Sequence, residues 1–133
     1  MRSFYRTVFA VIAAAFFAVS LASPSDAARR HLNLPSPAFD GLWSVSIITQ
    51  NGDCTRAYRY PLRIVGGYVT KAADDLTYDL SGAVGRTGAI GVTVSGGGQS
   101  ASGVGRLTRN VGRGVWHTSN GECSGNWTAE RRG

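Results

Sequence analysis

The chain has 133 residues, 43% of them hydrophobic and 17% charged, with a formal net charge of +6. This length and balance fit one folded domain and exclude both a multidomain enzyme and a disordered, charge-rich segment. The basic residues are scattered rather than run together, which excludes a polybasic nucleic-acid arm.

Residues 1–27 read as a secretory signal peptide. Arg2 and Arg6 supply the positive start, Thr7 to Ala22 is almost unbroken apolar sequence, and small residues offer cleavage after Ala22 or after Ala27. The apolar stretch is about 16 residues, short of the ~20 a membrane span needs, so no stable membrane anchor is expected after cleavage. Export places the mature protein in the periplasm or outside the cell. Residues 28–38 follow as an extended arm or linker, because Pro35 and Pro37 fix extended backbone and forbid a helix.

From Phe39 onward the pattern alternates with period two, the signature of half-buried strands. Trp43, Val45 and Ile47 share one face of a first strand. Asn51-Gly52-Asp53 turns the chain into a second, where Tyr58, Tyr60, Leu62 and Ile64 face one way and Arg59, Pro61 and Arg63 the other. Gly66-Gly67 leads to a short third strand, Tyr68 to Thr70, and Asp74-Asp75 to a fourth headed by Leu76, Tyr78 and Leu80. After a turn at Gly85 to Gly88, Ile90, Val92 and Val94 align on a fifth strand. Past Gly96-Gly97-Gly98, Ala101, Gly103, Gly105 and Leu107 align on a sixth. Asn110 to Gly112 turns into a seventh carrying Gly114 and Trp116. The hairpin dipeptide Asn120-Gly121 precedes the last strand, Cys123 to Arg131. The whole predicts an all-β domain over residues 39–133: an eight-stranded antiparallel up-and-down barrel, with a small β-sandwich as the alternative.

Two cysteines, Cys54 and Cys123, lie in the mature part. An even count in an oxidising compartment implies a disulfide, here closing a loop of about 70 residues. Glycine recurs at spacing two (Gly103 and Gly105, Gly112 and Gly114, then Gly125), and inward glycines would make room for Trp43, Trp116 and Trp127. The tyrosines of the second strand are expected in the core, with its arginines outside, which argues against a nucleic-acid stacking platform.

No arrangement of residues supports catalysis. His117 falls on the face opposite Trp116. Asp74-Asp75 sit in a turn, and Glu122 and Glu130 alternate away from the inward face, so neither a general base nor a carboxylate pair is formed. Cysteine and histidine spacing predicts no metal site, and no cofactor is expected.

Gly41-Leu42-Trp43 opening the first strand and Arg131 near the end of the last are similar to the corresponding positions of the calycin superfamily, the lipocalin-like barrels. The resemblance implies an up-and-down barrel in which Trp43 closes one end and Arg131 packs across it. Leu32-Asn33-Leu34-Pro35-Ser36-Pro37 just before this motif, and Cys54 after it, also resemble the periplasmic metalloprotease inhibitors found beside secreted bacterial proteases. That likeness implies a non-catalytic inhibitory module whose segment Leu32, Asn33, Leu34, Pro35, Ser36, Pro37 enters a protease cleft. Cys123 departs from it, since the inhibitors' disulfide joins early strands. The expected function is thus an exported binding protein with a protein partner such as a secreted protease, or with a small-molecule partner. The alternative is an adhesin-like protein whose basic Gly/Ser-rich surface binds an anionic surface polymer.

Overall fold

The computed structural model describes residues 34–74 and 76–133. The expected signal peptide, Leu32, Asn33 and Asp75 lie outside the described residues. A short 3-10 turn, Pro37–Phe39, precedes eight strands: β1 (Gly41–Asn51), β2 (Ala57–Val65), β3 (Tyr68–Lys71), β4 (Asp79–Val84), β5 (Ala89–Gly96), β6 (Gln99–Thr108), β7 (Val111–Thr118) and β8 (Ser124–Arg131). Each strand pairs antiparallel with the next, and β1 pairs with β8, which closes the barrel. The sandwich alternative is thereby excluded. Closure leaves no sheet edge to template aggregation.

Alternation sets the faces. Trp43, Val45 and Ile47 of β1 and Leu62 and Ile64 of β2 are buried, while Arg59, Pro61 and Arg63 are exposed. Pro61 falls one residue past the last β2–β3 pair, Leu62 with Lys71, so its missing amide is not needed by β3. The core is completed by Val69, Val84, Ile90, Leu107, Trp116, Trp127 and Ala129.

The fourth strand starts later than its pattern predicts, at Asp79 rather than Leu76. Pairing explains the difference. Between β3 and β4 only Tyr68 and Ala83 are in register, so the chain from Ala72 to Tyr78 has no partner strand. The turn before β7 is also tighter than expected, Arg109-Asn110, with Arg109 taking the left-handed conformation (φ 44°).

One end of the barrel is plugged. Pro35 forms a β-bridge with Gly85, and the buried Ser36 donates its amide to the Val84 carbonyl at 2.8 Å. Asp40 then accepts the amides of Gly66 (2.7 Å) and Gly67 (2.9 Å), tying the β2–β3 turn to the same end. Gly67 has φ +81°, and a Cβ there would collide with the backbone of Pro35 and Ser36, so the close approach requires glycine. The expected arm is therefore, from Pro35 onward, a strap across the barrel floor.

The glycine expectation is refined as well. Trp127 alone of the three tryptophans lies on a glycine floor. A Cβ on Gly105 or Gly114 would come within 2.5 and 2.6 Å of its ring. Gly125 serves another purpose: a Cβ there would strike the Ile48 carbonyl, where the β1–β8 register shifts between Thr49 and Asn51.

Candidate functional site

The barrel axis is not filled. An apolar cavity of about 90 Å³ runs inside it, from Trp43 at the floor past Val45, Leu62, Val92 and Ala101 to Tyr60. The glycines account for it. Trp127 lies flat against the wall over Gly103, Gly105, Gly112 and Gly114 instead of crossing the axis. β5 and β6 also line it, with Ile90, Val92, Val94, Ala101 and Leu107. A core filled by three tryptophans, as the sequence suggests, would have left no such space.

The tryptophans offer a ligand no hydrogen-bond donor. Each indole N–H donates to a backbone carbonyl: Trp43 to Phe39 (2.9 Å), Trp116 to Ile48 (3.0 Å) and Trp127 to Val104 (3.3 Å). The interior thus presents hydrocarbon and aromatic surface. A dry cavity of this kind takes up apolar molecules rather than water, which would lack partners there.

At the far end the barrel is open. The mouth encloses about 900 Å³ and shares Tyr58, Tyr60, Val94, Ala101 and Trp116 with the cavity, so the two adjoin. Tyr58 stacks on Tyr60 (centroids 6.2 Å apart, planes 25°), and Tyr78 meets Tyr60 edge-on (5.9 Å, 72°). Tyr58 is 48% exposed, so it belongs to the rim and not, as expected, to the core. Burial raises the pKa of all three phenols, most for Tyr60, where Tyr58 and Tyr78 add to the shift. The mouth therefore carries neutral hydroxyls, which can donate or accept, at any physiological pH. The Tyr78 hydroxyl is shielded and has no hydrogen-bond partner among the described residues.

The disulfide stands at this open end. Cys54 and Cys123 are joined with a Cα–Cα distance of 6.2 Å. Cys54 lies in the β1–β2 loop and Cys123 one residue before β8, so the bridge pins two mouth loops together across β1. The loop of Cys123 is shaped by Asn120, whose Oδ1 accepts from the Glu122 amide (3.0 Å) and the Thr118 hydroxyl (2.7 Å).

Trp43 and Arg131 meet at the closed end. The guanidinium carbon lies 5.1 Å from the indole centroid, and Nη2 donates to the Ala38 carbonyl at 3.1 Å. Leu34 is exposed, whereas Pro35, Ser36 and Pro37 are engaged in the floor strap or begin the 3-10 turn. The latter three would have to detach before entering a protease cleft. His117 is exposed on the outer face. No group of three His, Cys, Asp or Glu side chains among the described residues is placed to hold a metal ion. Nor is any helix among them long and apolar enough to cross a membrane.

The sequence reading missed the mouth cluster. Tyr58 and Tyr60 sit at i and i+2 just after the Cys54 loop, which marks a strand beginning at a barrel end, but Tyr78 reaches them only through the unpaired chain before β4. No family model matches the chain, and comparison with curated proteins finds no match.

Proposed function

We propose that this protein is an exported, non-catalytic binding module. It takes a small, mainly apolar molecule into the barrel through the tyrosine-lined mouth. One observation carries the reading: an apolar cavity with Trp43 at its floor adjoins, at its other end, a mouth where neutral hydroxyls gather. The apolar part of the ligand fills the cavity, and a polar head, if present, meets Tyr58, Tyr60 and Tyr78. The disulfide suits an oxidising compartment such as the periplasm. A protease-inhibitory role rests on the segment around Leu34 and receives less support, because the chain from Pro35 is bound to the floor.

Titration with a series of n-alkanols, followed by tryptophan fluorescence, tests the proposal. Affinity rises about fourfold per methylene, the equivalent of ~0.8 kcal/mol, until the cavity is full, and then levels off. Ala101→Leu, which fills the cavity, moves the plateau to shorter chains. A series with no saturable binding, or one that climbs without a plateau and ignores Ala101→Leu, overturns it.

A further inference from the structure

The outer wall of β6 and β7 is built differently from the rest of the barrel. The register sets Arg106 directly opposite Arg113, and Val104 directly opposite Val115. Like charges facing each other across strands cost stability. No carboxylate among the described residues is within ion-pair reach of either arginine: Lys71 pairs with Asp79 and Arg132 with Glu130 instead. Arg106 reaches only the Thr87 carbonyl, at 3.3 Å. Arg109, in the turn of the same hairpin, adds a third exposed cation three residues from Arg106.

A shallow groove lies between the two facing arginines. Its floor is Gly105 and Gly114, and Val115, Asn126 and Thr128 line its side. Residues 105 and 114 direct their side-chain positions inward, so on the outer face the backbone of this register pair forms the groove floor, with the Trp127 ring behind it. Val104 and Val115, each more than half exposed, continue the groove as a flat apolar strip. Ser102 and His117 follow in the next register pair.

We propose that this face binds an acidic polysaccharide. The arginines take carboxylate or sulfate groups through charge-assisted hydrogen bonds. Asn126, Thr128 and Ser102 bond sugar hydroxyls, and the valine pair packs on a sugar ring. Nucleic acid fits less well, since no exposed Phe, Tyr or Trp among the described residues stands on this wall to stack a base. The site is separate from the cavity and stands or falls without it.

The test is affinity electrophoresis of the disulfide-bonded protein through gels containing polygalacturonate, dextran sulfate, neutral dextran or single-stranded DNA. The two acidic polysaccharides retard it, and added salt relieves the effect. Arg106→Gln/Arg113→Gln weakens retardation about tenfold through loss of the charged contacts. Arg56→Gln/Arg59→Gln, with the same loss of charge elsewhere, changes it less than about twofold by the same reasoning. Val104→Ser/Val115→Ser weakens it with the charge intact. A thermal melt of each variant confirms folding, and the Arg106/Arg113 variant is no less stable because a repulsion has been removed. Equal losses in the two arginine variants, retardation by neutral dextran, or tighter binding to DNA overturns the proposal.

Discussion

Gly114→Ala tests the packing that shapes the cavity wall. The added methyl would lie 2.6 Å from two atoms of the Trp127 ring and also against the Val104 carbonyl. The ring cannot withdraw easily: its N–H is bonded to Val104, and Gly103, Gly105 and Gly112 hold the rest of its face. Overpacking of this kind costs about 1–3 kcal/mol. Alanine recovers roughly 0.5–1 kcal/mol through its lower backbone entropy in a strand. The net loss is about 1–2 kcal/mol, and the melting temperature falls by ~5–15 °C for a domain of this size. Gly91 supplies the control, because a Cβ there meets nothing within 4 Å and its backbone is not left-handed. Gly91→Ala therefore leaves the melting temperature unchanged or raises it slightly. Thermal unfolding followed by circular dichroism reads both. A Gly114→Ala protein as stable as the parent, or a Gly91→Ala protein that loses as much, refutes the account of the glycine floor.

Removing the bridge with Cys54→Ser/Cys123→Ser frees a loop with a sequence separation of 69. The chain-entropy model then gives a loss of roughly 4 kcal/mol, read from the denaturant midpoint. Asp40→Ala strands the Gly66 and Gly67 amides at the floor and costs about 1–3 kcal/mol. Asp40→Asn, which keeps one strong acceptor, loses less in the same assay. Tyr60 holds its proton above the ordinary tyrosine value of 10.0, chiefly through burial. Folded protein then binds more protons than unfolded protein above that pH, so this contribution is complete below about pH 10 and is lost as pH rises further. Urea midpoints hold below about pH 10 and fall as pH rises above it, and Tyr60→Phe reduces the fall.

Period-two alternation made the strands readable because a barrel wall has one dry face and one wet face along its whole length. Trp43, Val45, Ile47, Leu62 and Ile64 needed nothing more, and the two cysteines needed only counting. Alternation says which way a side chain points but not how far along the axis it lies. Tyr58 and Tyr60 point the same way, yet one is at the rim and the other inside. Nor does it reveal which small residues face which large ones. Trp127 meets its glycines across β6, β7 and β8, a match set by register and invisible within any one strand. The floor strap was hidden for a related reason. Pro35 and Pro37 exclude a helix but say nothing about docking, which depends on Gly67 and Val84 far along the chain.

The glycine pattern joins the two faces of the wall into one physical argument. Glycine in strands weakens them, so a barrel under selection for stability alone would have little reason to place Gly103, Gly105, Gly112 and Gly114 on two adjacent strands. Their combined effect is to let Trp127 lie against the wall, off the axis. Inside, that leaves the cavity; on the outer face of the same two strands lies the groove beside Arg106 and Arg113. The facing arginines are a second local cost in the same place. Two unfavourable choices at one position of the sheet are what a binding surface requires and what packing alone does not explain. Gly105→Ala separates these roles. Its methyl meets Trp127 at 2.5 Å and pushes the ring toward the axis, so alkanol affinity falls while both arginines remain in place. If alkanol binding survives a well-folded Gly105→Ala, the cavity does not owe its volume to the glycine floor.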